Sequence, residues 1–209
     1  MGSQSSKTIA QLDRNLVDYI DEAVTAKVAE KLNAFQEQIA QTLARCQKNS
    51  VSQLSNRATI IAFSGEMDKL IAAFIIATGA ASIGMDVSVY VTFWALSALK
   101  KKNRFKGKAF TDMLTALMLP TGPDHLGTSK LNMFGAGPMF FSYVMKKKNM
   151  SSLADLIELA RQTGVRIIAC QTAMDVMGIT REELVDDLDF GGVATYLADA
   201  CDSKITLFI

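Results

Sequence analysis

The chain has 209 residues, 49% of them hydrophobic and 21% charged, with a net charge of +1. That size supports one sizeable core with an appendage. Near-neutral charge gives no whole-molecule field for nucleic acid, and three cysteines far apart, at 46, 170 and 201, argue against a disulfide framework or a zinc knuckle. The polar opening MGSQSSKTIA is unlike a signal peptide. The longest charge-free run, Leu70–Met85, is sixteen residues, short of the about 20 that a spanning helix needs. A reducing cytoplasm is the expected setting.

Residues 8–47 carry one helical pattern. Leu12, Leu16, Ile20, Val24, Val28, Leu32, Phe35, Ile39 and Leu43 recur every three or four positions. The seam is narrow and free of Gly and Pro, which suits packing on a neighbour or on another chain. Cys46 extends that seam. Asn49–Arg57 reads as a polar linker, so residues 1–57 form an N-terminal helix and linker, and residues 58–209 form the main domain.

The main domain opens with a strand at Thr59–Phe63, a turn at Ser64-Gly65 and a helix at Glu66–Ala81, whose apolar residues nearly surround it. Such a helix is expected to be buried on both sides. Asp86–Thr92 reads as a second strand and Phe93–Lys100 as helical. Residues 101–150 interrupt the alternation. They are rich in Met, Gly and Phe, hold all three prolines, and are flanked by Lys100–Lys102, Arg104, Lys106 and Lys108 before and Lys146–Lys148 after. Three readings stand for this insertion: solvated loop charges beside a subunit contact, an adaptable Met-rich docking surface, or a basic amphipathic patch on an anionic membrane. Ser152–Thr163 is the next helix, Val165–Ala169 a strand, Gly191–Cys201 a helix and Lys204–Ile209 a closing strand. Continuously apolar strands alternating with helices mean an α/β fold, a parallel sheet covered on both faces.

Cys170 holds the most informative position. It ends the Val165–Ala169 strand, and Thr172 with Asp175 three residues on resembles a capping-box helix start. A thiol outside the carboxyl end of a strand and facing a helix N-terminus is favoured as thiolate, and that rim is where open α/β sheets bind ligands. The plainer reading is a small buried hydrophobe. Ser64 and Gly65 follow the first strand and offer backbone N–H groups to an anion, or serve only as cap and turn. Trp94, the single tryptophan, is a core or interface anchor or a ligand stack. Together with Thr172, these residues are the candidate substrate-binding groups. His125 stands alone, so no metal site is expected, and the absence of a Walker or dinucleotide fingerprint leaves no cofactor expected. Asp189–Gly192, DFGG, resembles a kinase tripeptide by chance.

The segments FSGEMDKLIAAFIIATGAASIGMDVSVYVTFWAL, KLNMFGAG, MKKKNMSSLADLIELARQTGVRIIACQTAMDVMGI and GGVATYLADACDSKITLFI, in that order, closely resemble the DsrE/DsrF/DsrH-like superfamily, above all its longer DsrE-like subgroup. The resemblance covers about residues 58–209. It implies a three-layer α/β/α fold with a five-stranded, mainly parallel sheet, and homo-oligomers. It also implies a sulfurtransferase-like or sulfur-carrier role, with persulfide held on Cys170 and passed to sulfur-relay partners: TusA-like carriers, rhodanese domains or disulfide reductases. Gln171 and Thr172 depart from the bulkier Thr-Met of the familiar motif. The competing reading is a non-catalytic oligomeric adaptor, or a membrane-surface binding module, with a structural Cys170.

Overall fold

A computed structural model describes residues 24, 27–42, 55–105, 108–130 and 135–209. The chain divides into two units, Met1–Gln47 and Lys48–Ile209. In the first, residues 27–42 form helix α1, with Val28, Leu32 and Phe35 exposed along one stripe. The remainder of the expected 8–47 pattern, except Val24, and Cys46 lie outside the described residues.

The second unit is a five-stranded sheet in which every neighbouring pair is parallel. Its order is β4-β3-β2-β1-β5. The strands are β1 (Ser55–Ala62), β2 (Asp86–Val91), β3 (Arg166–Cys170), β4 (Asp189–Gly191) and β5 (Ser203–Phe208). The helices are α2 (Met67–Ser82), α3 (Phe110–Met118), α4 (Ala136–Lys147), α5 (Leu153–Gln162), α6 (Gln171–Val176) and α7 (Val193–Cys201). A 3-10 helix spans Phe93–Leu99. Strand β1 begins earlier than expected because Arg57, read as linker, is tied to Asp86 on β2 at 2.9 Å. Strand β4, three residues from the DFGG segment, was not expected as a strand.

The two faces of the sheet differ in chemistry. Register places Ile60 beside Val89 and Val89 beside Ile167. This face is hydrocarbon, and α2 and α5 pack on one another above it with Leu70, Ala73, Phe74, Leu156, Ile157 and Ala160 buried. Each large side chain there contributes about 1.5–3 kcal/mol on leaving water. Ser152 caps α5 by accepting from the Asp155 N–H, while the Asp155 carboxylate accepts from the Ser152 N–H at 3.0 Å. The outer side of α2 stays open: Ile75, Ile76 and Ile83 are exposed, so the expected burial on both sides is corrected to one side.

The opposite face carries Thr59, Ser88, Tyr90, Arg166 and Cys170. Thr59 Oγ1 bridges Ser88 Oγ at 3.0 Å and Ser203 Oγ at 2.8 Å. Helix α7 covers this polar layer, its Asp199 paired with Arg57 at 3.1 Å and with Arg166. Three layers result.

Helices α3 and α4, with a 3-10 turn at Pro123–His125, occupy the 101–150 insertion. Its root is pinned by a buried carboxylate. Glu183 Oε2 accepts from Lys108 Nζ at 2.6 Å and from the Thr180 N–H at 2.8 Å, and Glu183 Oε1 accepts from the Arg104 N–H at 2.8 Å. Burial pushes the Glu183 carboxyl upward, but these donors outweigh it and hold its pKa below the ordinary carboxylate value.

Candidate functional site

The chain leaves β1, β2 and β3 by successive crossovers that step one way across the sheet, then returns from β4 to β5 at the far edge, beside β1. Right-handed crossovers therefore send α6 toward the α2/α5 face and α7 to the opposite face. The division falls between the carboxyl ends of β3 and β4, where Cys170 and Gly191 are register partners. This is the topological switch point, the place where open α/β sheets form their crevice. Cys170 ends β3, is the N-cap residue of α6, and makes no cap hydrogen bond with its side chain. The helix starts at Gln171, one residue before the expected Thr172, whose capping-box role with Asp175 is not seen.

Tyr90 completes this corner. It lies beside Ile168 in register, which sets it on the same face as Cys170 two residues on. Its hydroxyl donates to the Gly191 carbonyl at 3.2 Å, and its ring meets that of Tyr196 on α7 with centroids 5.7 Å apart. Burial first, and then the neighbouring Cys170 sulfur, raise the Tyr90 pKa well above its ordinary value. Cβ on Gly191 would come within 2.7 Å of Thr195 Oγ1, so glycine is needed where β4 turns into α7.

The expected open access to Cys170 is corrected by its burial at 7% exposure. The strand passes into α6 at once, and its neighbour β4 turns directly into α7. Among the described residues Cys170 is the one free cysteine. Cys201, at the last turn of α7, is not a free thiol, which departs from the plain packing role expected of it.

Ser64, Gly65 and Trp94 come together, but around a different cavity. With Phe63, Glu66 and Lys69 they line a space of about 430 Å³ that neither Cys170 nor Thr172 borders. Thr172 is exposed on α6. Of the two N–H groups expected to face an anion, that of Ser64 points to the Ile209 carbonyl at 3.5 Å; just beyond them, Glu66 N–H donates to Ser64 Oγ at 3.3 Å and Met67 N–H to the Gly127 carbonyl at 2.8 Å. Ser64 Oγ donates to Glu66 Oε2 at 2.7 Å, and that carboxylate also pairs with Lys69 at 2.5 Å. Gly65 packs so closely that a Cβ would stand 2.9 Å from the Trp94 carbonyl oxygen. Trp94 itself is 52% exposed, beside Phe93, which holds φ at 45°.

His125 is exposed in its 3-10 turn. Among the described residues, no group of three or more His, Cys, Asp or Glu could hold a metal ion, and no helix is long and apolar enough to cross a membrane.

The model of the DsrE/DsrF/DrsH-like family matches residues 54–208. The chain belongs to this family. Among curated relatives, the uncharacterized protein YrkE of Bacillus subtilis (strain 168) is 43% identical over 160 residues, 76% of this chain and all of that one. The sulfur carrier protein DsrE2 of Allochromatium vinosum is 31% identical over 157 residues, 73% of this chain and 98% of that one. Among solved structures, the YchN protein of E. coli aligns with a TM-score of 0.43 at 12% identity, over 76% of this chain and all of that one.

Two parts of this arrangement escaped the sequence reading. Tyr90 had only the alternation of DVSVYVT to mark its face. The Lys108–Glu183 pair joins residues 75 positions apart, and no local pattern connects them.

Proposed function

We propose that this protein is a sulfur carrier that holds sulfane sulfur as a persulfide on Cys170 and passes it to a partner thiol. The observation that carries the reading is the place of a free cysteine at the switch point of the sheet, in a family with a relative named as a sulfur carrier. Candidate partners are proteins that present a reactive thiol or persulfide, such as TusA-like carriers, rhodanese domains or disulfide reductases, and further copies of this chain. Ser64, Gly65, Trp94 and Thr172 act at most as a docking surface in this reading, since three of them line a separate cavity. At 7% exposure, transfer requires the cover over Cys170 to move. A cytoplasmic setting suits persulfide chemistry, because thiols stay reduced there.

The test is direct. The purified protein is treated with inorganic polysulfide and its intact mass recorded. The expected result is a gain of one sulfur mass in the wild type and none in Cys170→Ser. Equal loading of both proteins, or of neither, overturns the proposal.

A second reading rests on α4, where Met139, Phe140 and Tyr143 are exposed ahead of Lys146–Lys148. Apolar side chains beside a basic cluster suit an anionic membrane surface. Flotation with anionic vesicles, retained in Cys170→Ser and lost in Phe140→Asp, would support a membrane-surface module. No flotation rules it out.

A further inference from the structure

We propose that Tyr90 is the positioning residue of the sulfur site, its hydroxyl being the buried donor that moves from the Gly191 carbonyl to the sulfur carried at Cys170 when that sulfur is anionic. The inference rests on the sulfur-carrier reading and adds the group that would hold the charge.

Geometry brings the two side chains together without reference to their titration. Tyr90 is register partner to Ile168, Cys170 is register partner to Gly191, and the Tyr90 hydroxyl already bonds the Gly191 carbonyl. The donor therefore sits beside the last residue of β3, on the face where that side chain emerges. At 3.2 Å the existing bond is longer than the roughly 2.7–2.8 Å usual for a hydroxyl donor, so it is readily exchanged. A hydrogen bond to an anion is shorter and about twice as strong as one between neutral groups. Tyr90 is only 5% exposed, so water does not compete for its proton, and packing against Tyr196 fixes the ring. Because its pKa is raised, the phenol remains protonated and acts as a donor, not as an acid.

The step balances without an added oxidant. A persulfide donor R–S–S⁻ gives up its outer sulfur: a new S–S bond forms at Cys170 and the S–S bond of the donor breaks. The released R–S takes the proton that the Cys170 thiol gives up and leaves as R–SH. The negative charge now sits on the outer sulfur of the Cys170 persulfide, where Tyr90 can hold it. Transfer to an acceptor thiol runs the same exchange in reverse. Charged and titratable groups on the surrounding elements are Tyr196 on α7, Asp199 on the same helix, paired with Arg57 of β1 and Arg166 of β3, the exposed Asp175 on α6, and Asp189 on β4, which pairs with Arg166 at 3.6 Å.

The test compares wild type, Tyr90→Phe and Tyr196→Phe as full chains. Iodoacetamide alkylation at Cys170 is followed against pH by peptide mass, and sulfur loading from inorganic polysulfide is measured in parallel. Tyr90→Phe is expected to move the alkylation midpoint up by about one pH unit, which is tenfold less thiolate at fixed pH below it, and to lower the sulfur load. Tyr196→Phe is expected to match the wild type. Replacing tyrosine with 3-fluorotyrosine, a near-isosteric and stronger donor, is expected to move the midpoint down, and it keeps the test alive should Tyr90→Phe fail to fold. An unchanged midpoint in Tyr90→Phe, or in the fluorinated protein, overturns the role given to Tyr90. A shifted midpoint in a wild type that takes up no sulfur keeps Tyr90 as donor to the Cys170 thiolate and sinks the sulfur-carrier reading instead.

Discussion

The Lys108 ammonium meets the Glu183 carboxylate at 2.6 Å, with both side chains almost wholly withdrawn from solvent. Breaking a buried pair from one side leaves the other charge stranded, at a cost of about 3–5 kcal/mol. Glu183→Gln is therefore expected to lower the unfolding free energy by that amount, seen as a lower urea midpoint, and to speed amide exchange at Arg104, whose N–H loses its charged acceptor. The pH response has a definite sign. The folded pKa lies below the ordinary 4.5, so the stabilisation is present above that pH and is lost as pH falls through the folded value. Wild type and variant should converge in acid.

Lys100 behaves in the opposite sense. Its side chain is 2% exposed and its Nζ has no hydrogen-bond partner. Burial, partly offset by Glu183, lowers its pKa from the ordinary 10.5. The unfolded chain binds the proton more tightly, so this group favours folding less as pH falls from 10.5 toward the folded value. Lys100→Met, which keeps the length and removes the amine, is expected to raise stability by about 1–3 kcal/mol at neutral pH. Thermal melts across pH should show the gain shrinking in alkali.

Gly65→Ala tests the close approach to Trp94. The added carbon would sit 2.9 Å from a backbone oxygen and 3.0 Å from the Trp94 Cβ, neither of which can swing aside. A loss of about 1–3 kcal/mol is expected. Trp94 is the chain's single tryptophan, so its fluorescence maximum should shift in the folded variant and reports the displacement directly.

Asp199→Asn should loosen the cover over the sulfur. Asp199 anchors α7 to Arg57 and Arg166, residues of the first and third strands. With the charge removed, amide exchange along α7 is expected to rise, and iodoacetamide should modify Cys170 faster by a similar factor. Unequal changes in the two rates would show that α7 does not control access.

The sheet was legible because its strands are apolar runs of five or more residues between clear turns, as in TIIAF and DVSVYVT. Strand β4 was not, since DFG is three residues long and takes its identity from Cys170 and its neighbours across the ladder. Polar Ser55–Arg57 looked like linker because the ion pair that makes it a strand lies on Asp86. The position of Cys170 at the end of β3 was readable from the alternation of strand and helix. Its burial was not, since that depends on how the neighbouring three-residue strand β4 turns into α7. Ser64, Gly65 and Trp94 share a rim in sequence logic, and they do meet, but around a cavity that Cys170 does not border.

Among the described side chains of α7, the one buried residue is an aspartate. A helix fastened by ion pairs, over a mixed layer of hydroxyls, Tyr90 and Ile168, uncovers only part of the core's apolar area when it lifts. Denaturant sensitivity scales with newly wetted area, so such an opening would respond less steeply to urea than global unfolding does. Nature could thereby expose one atom for trade without putting the scaffold at risk.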